Sequence, residues 1–76
     1  MVEYPFQIHE KAQSTSSKER IEAIEYIDDN VHDFDDIKIA WEDIHRLIKD
    51  EDGYVRGSAA YALGVAYVHM SGKDKA

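Results

Sequence analysis

Four stretches of this chain repeat apolar residues at three- and four-residue intervals, the spacing that lines one face of an α-helix. The first, about 5–13, is short: Pro5 suits a first helical turn, and Ile8 and Ala12 share a face. The second, about 17–31, puts Ala23, Ile24, Ile27 and Val31 on one stripe and Glu22, Glu25 and Asp29 opposite it. Ser16 and Glu19 ahead of it have capping-box spacing, in which hydroxyl and carboxylate satisfy free backbone donors reciprocally. After a loop at 32–35, the third stretch, about 36–49, aligns Ile37, Trp41, Ile44 and Ile48, flanked by Ala40 and Leu47, with Lys38, Glu42, His45 and Lys49 on the wet side. Acids at its start and Lys49 at its end suit the helix dipole. The fourth, about 53–70, opens from an acidic turn with Asp52 as the expected N-cap, and Gly72 is a plausible stop. No period-two pattern appears, so the expected fold class is all-α.

The chain also resembles itself. A shift of 36 positions places Ile8 on Ile44, His9 on His45, Arg20 on Arg56, Ala23 on Ala59, Ile27 on Leu63 and Ala40 on Ala76, with the cap Ser16 on Asp52. A repeat of this length in helical sequence predicts two stacked helical hairpins, each burying its stripe against the other. The expected layout is one domain over 1–76, with hairpin one at about 5–32, hairpin two at about 36–70 and a short tail at 71–76.

The stretch from Leu47 to Gly64, with its acidic turn Asp50-Glu51-Asp52-Gly53, then Val55-Arg56, then Ala59-Ala60-Tyr61-Ala62-Leu63-Gly64, resembles a HEAT repeat of the phycobilisome-lyase-like type. Arg20 to Ile27 matches more weakly, with Glu19 in place of the usual valine and Asp28 in place of the glycine. The resemblance covers roughly residues 8–70. It implies an α-α superhelix, a HEAT-like solenoid fragment of four helices, used as a protein-interaction scaffold. It also implies that Arg56 is a structural residue, paired with the turn carboxylate Asp50 and costly to remove. An alternative carried by the resemblance alone is a fragment or accessory subunit of a HEAT-like lyase.

Composition narrows the chemistry. Nine basic against sixteen acidic residues give a net charge of −7, which repels a phosphate backbone and argues against nucleic-acid binding. All of that excess lies in residues 1–36, leaving the second half neutral. The plainer reading is a soluble outer face, the sharper one an electrostatic surface for a basic partner. With no cysteine, disulfides, thiolate zinc sites and a cysteine nucleophile are excluded. The histidines, His9, His32, His45 and His69, include no i, i+4 pair, and the Asp50–Gly53 turn brings its glycine too early for a calcium loop. Glu22, Glu25 and Asp29 form a solvated stripe rather than an environment that shifts a pKa, and no phosphate loop or nucleophile motif is present. The expectation is therefore a non-enzyme with no cofactor or metal. Trp41 is expected in the core, with a partner-binding anchor as the alternative. The N-terminus lacks a basic segment followed by an apolar run, and the longest weakly polar stretch is too short to span a bilayer, so a cytoplasmic location without membrane contact is expected.

The fourth stretch is the anomaly. From Gly57 to Met70 it contains no Asp, Glu, Lys or Arg. Val55, Ala59, Ala62, Leu63, Ala66 and Met70 occupy one face, while Tyr54, Ser58, Tyr61, Val65 and Val68 occupy another. A helix without a charged face is normally covered on several sides, and two hairpins cannot supply them all. Tyr54, Tyr61, Val65 and Val68 are thus candidate partner-binding residues. The covering partner would be protein: a second copy forming a homodimer, the next unit of a longer repeat array, or a different chain.

Overall fold

A computed structural model describes residues 3–75, with side-chain surroundings through residue 68. The chain forms α1 (Phe6–Ala12), α2 (Ser17–Asn30), a 3-10 turn (Val31–Asp33), α3 (Lys38–Leu47) and α4 (Gly53–Lys75). There is no strand among the described residues, and the fold is all-α. The most extensive pairings are α1 with α2, α2 with α4 and α3 with α4, with a smaller contact between α1 and α3. The molecule is 16 Å across its thinnest direction and 38 Å along its longest. At 1.5 Å of rise per residue, α4 alone accounts for about 34 Å of that length.

The connection inside each hairpin, α1–α2 in the first and α3–α4 in the second, is built alike, 36 positions apart. Ser16 N–H donates to Ser14 Oγ at 3.0 Å, as Asp52 N–H does to Asp50 Oδ1 at 2.9 Å. Ser16 Oγ caps α2 by accepting from Glu19 N–H at 3.4 Å, and Asp52 Oδ1 caps α4 by accepting from Val55 N–H at 3.3 Å and Tyr54 N–H at 2.8 Å. Arg20 Nη1 donates to the Ser14 carbonyl at 2.8 Å, and Arg56 Nη1 to the Asp50 carbonyl at 2.7 Å. The two turns therefore share one capping geometry. One detail departs from the expected reciprocal cap: the Glu19 carboxylate takes the Ser14 hydroxyl, not the Ser16 N–H.

The core runs between the helices. Ala23, Ile24 and Ile27 of α2 and Ile44 and Leu47 of α3 pack on Val55, Ala59, Ala62 and Ala66 of α4. The alanines on α4 keep its inner face flat and let both neighbours come close. Phe34 is buried although it lies between helices, where helical periodicity has no hold; its ring stands edge-on to Tyr4 at 5.5 Å and stacks on Tyr26 at 6.2 Å.

Two boundaries differ from expectation. α3 begins at Lys38, because Asp36 stays outside the helix and accepts the Lys38 N–H at 2.9 Å. α4 continues through Gly72 to Lys75, so 71–75 is helix and not a tail. Glycine stops a helix where it adopts positive φ, and no described glycine does so. The side chains of His69 and Met70, and Ala76 altogether, lie outside the described residues.

Candidate protein-interaction surface on α4

α4 is apolar on two opposite sides. Its inner side, Val55, Ala59, Ala62 and Ala66, is closed by α2 and α3. Its outer side meets water: Tyr54 is 70%, Tyr61 68% and Val68 70% exposed, as the sequence anticipates. Val65, expected with them, is half-buried against the core at the edge of the strip. The strip extends further than anticipated, to the exposed residues Gly57, Ala60, Gly64 and Tyr67.

Residues 57, 60, 61, 64 and 68 follow three- and four-residue spacing, so one outward face collects them. Two shallow hollows flank it. One, of about 510 Å³, is lined by Ala60, Tyr61, Gly64, Val65 and Val68. The other, of about 400 Å³, is lined by Trp41, His45, Ala60, Leu63, Gly64 and Tyr67. Trp41 takes the core role expected of it, half-buried with its ring 4.6 Å from His45, and its exposed part walls the second hollow.

The glycines of this strip were not singled out by sequence reasoning. A Cβ at Gly57 or at Gly64 would meet nothing within 4 Å. Each costs the helix roughly 0.5–1 kcal/mol relative to alanine. Neither is required by packing inside the fold.

Two charged clusters lie elsewhere and hold the helices together. The first corrects the expected pair of Asp50 with Arg56. The Asp50 carboxylate instead reaches back to Arg20 on α2: Nη2 donates to Oδ1 at 3.1 Å, and Nε sits 2.8 Å from Oδ2 with its N–H turned off that line, a coulombic contact only. Both side chains are 11% exposed. Arg56 is exposed, and its guanidinium donates to the carbonyls of Asp50 and Glu51. The physical reason is position: the second connection lies over Arg20 and shields the pair, whereas no part of the described chain lies over Arg56.

Burial works to raise the Asp50 pKa. It is outweighed by the Asp52 backbone N–H, the hydrogen bond and charge of Arg20 and the charge of Arg56, which hold the carboxyl below its ordinary 3.8. A depressed folded value means the pair stabilises the fold above the unfolded pKa and loses that contribution as pH falls through the folded one. Stability measured by urea melts should therefore drop below about pH 4, and Asp50→Asn should flatten that drop. An unchanged acid slope in the variant would contradict the assignment.

The second cluster centres on Asp43, which sequence reasoning did not place. It is 1% exposed on α3, the one fully buried charged side chain among the described residues. Its Oδ2 accepts from Tyr4 Oη at 2.7 Å and His9 Nδ1 at 2.8 Å, and its Oδ1 from Arg46 Nη2 at 2.8 Å. In the tautomer that donates to Asp43, His9 Nε2 accepts the Gln13 amide at 2.9 Å. His9 and His45, equivalent in the repeat, therefore differ: His45 is exposed with Nδ1 on the Trp41 carbonyl, and His9 is a half-buried link from α1 to α3. Burial first, then the bond to Asp43 and its negative charge, push the Tyr4 phenol well above its ordinary 10.0, against the charge of Arg46.

Among the described residues, no group of three or more His, Cys, Asp or Glu is arranged to hold a metal ion, and no helix is long and apolar enough to cross a membrane. The chain matches no family model, no curated protein and no solved structure. The geometry of its own surface therefore carries the functional argument.

Proposed function

We propose that this protein is a non-catalytic interaction module, and that the outward strip of α4 is the surface another polypeptide covers. The observation that carries this reading is the strip itself: of six large apolar side chains that are exposed among the described residues, four (Tyr54, Tyr61, Tyr67 and Val68) lie on one helix flank with no charge among them. Scattered apolar residues are ordinary on a protein surface, but a contiguous strip with aromatic anchors is what interfaces use. The non-catalytic reading is supported by the charged groups. Asp43 has its oxygens taken by three donors, and Asp50 by Arg20 and a backbone N–H, so both carboxylates serve as struts between helices.

A HEAT-like scaffold is the architecture we propose for the module, supported by the twice-built connection and by α2 packing on α4 as α1 meets α3. The excess of acid on the first hairpin favours a protein partner over a nucleic acid.

Placing a photo-activated cross-linking amino acid at position 61 tests the reading in the cell that makes the protein. Irradiation should yield a discrete adduct from position 61 and none from position 22, on the acidic flank of α2. Equal labelling from both, or none from position 61, would contradict it.

A further inference from the structure

The unexplained glycines point to what covers the strip. Gly57 and Gly64 leave bare backbone facing outward, with open space where a side chain would stand. A bare backbone in mid-helix weakens the helix but gives another helix room to come close. The hollows on either side share Ala60 and Gly64 as walls, and Tyr61 borders one while Tyr67 borders the other. Projecting rings and receiving hollows therefore lie on the same strip, the condition for a surface to pair with itself about a two-fold axis.

Resting on the reading of α4 as an interface, we infer that its occupant is a second copy of this chain, with the two α4 helices crossing at the Gly57–Ala60–Gly64 track and the Tyr61 and Tyr67 rings of each copy entering the hollows of the other.

Charge decides which face of the second copy is used. The outer flank of α2 carries exposed Glu22, Glu25 and Asp29. Covering it with an uncharged strip would strip water from three carboxylates without a counter-charge. Head-to-tail stacking is thereby disfavoured, and α4 is left to meet α4. The net charge of −7 resides in residues 1–36, so this arrangement joins the neutral halves. Area agrees. Tyr54, Tyr61, Tyr67 and Val68 are each 63–70% exposed. At roughly 150–250 Å² per aromatic side chain they offer on the order of 500 Å² per copy, and so on the order of 1,000 Å² in the pair, the lower bound of a specific interface.

Sedimentation velocity over a concentration series, with Gly64→Leu alongside, tests the inference. Leucine is a good helix former with open space at that position, so the variant should melt at higher urea than the unsubstituted chain. It should also sediment as a monomer where the unsubstituted chain is a dimer, because a bulky side chain at the crossing holds the helices apart. An unsubstituted chain that stays monomeric at the highest concentration overturns the second copy as occupant; a position-61 adduct with a different protein would then leave the interface reading standing. A dimer that survives Gly64→Leu overturns the crossing. Should the leucine variant melt earlier, Tyr61→Glu decides, a monomer supporting the inference and a dimer overturning it.

Discussion

Replacing Asp43 with alanine should cost the fold about 2–4 kcal/mol. The carboxylate receives a phenol, an imidazole and a guanidinium, and its loss leaves their donors turned toward an apolar interior. Of the three, the guanidinium can turn to water most easily, since the Arg46 side chain is 50% exposed. Tyr4 and His9 cannot do so without lifting α1 and the segment before it away from α3. α1 has only seven residues, with Ala12 buried and Ile8 half-buried, so it depends on this hub more than a long helix would. A chain of this size is stabilised by roughly 4–11 kcal/mol in total, which makes the expected loss a large share. Urea melts of the variant should show it, together with earlier exchange of the α1 amides. Tyr4→Phe, which removes one hydrogen bond and keeps the ring on Phe34, should cost about 1 kcal/mol. A melt for Asp43→Ala within about 0.5 kcal/mol of the unsubstituted chain would deny the hub its role.

The second large effect separates two arginines that the repeat makes equivalent. Arg20→Ala should destabilise by about 2–3 kcal/mol, because Asp50 is left shielded from water with its main counter-charge gone. Arg56→Ala should cost under about 1 kcal/mol, since it removes exposed bonds to two carbonyls that water can replace and only the smallest of the charge contributions acting on Asp50. Paired urea melts check the order. A larger loss at Arg56 than at Arg20 would restore the pairing that the family resemblance implies.

These two clusters also mark where the sequence was legible and where it was not. α2 and α4 begin where the caps Ser16 and Asp52 place them, because capping is local and the side chain that makes the bond is three residues from its donor. The inner face of α4 was readable for the same reason: Val55, Ala59, Ala62 and Ala66 keep helical spacing. Asp43 was missed although a signal was present. It falls three residues after Ala40 and four before Leu47, within the face that the structure buries, where a charge needs partners. Its partners come from Tyr4 and His9, more than thirty residues away, and no local pattern reports them. The choice of Arg20 over Arg56 for Asp50 is likewise a tertiary matter, decided by which arginine the second connection happens to cover. Phe34 escaped because a residue between helices has no periodicity to obey. The outward strip was half legible: the absence of charge from Gly57 to Met70, together with helical spacing, gave away Tyr54, Tyr61 and Val68. That Gly57 and Gly64 face open space could be known only once the neighbouring helices were in place.

The central claim is that the uncharged strip of α4 is where two copies of this chain meet. Following the backbone amide resonances of the labelled chain by NMR, from millimolar to low-micromolar concentration, tests it most directly. The account predicts that the signals of Gly57, Ala60, Tyr61, Gly64 and Val68 move on dilution while those of Glu22, Glu25 and Asp29 hold still. Signals that move along α2 instead, or a spectrum that does not change at any concentration, would contradict it.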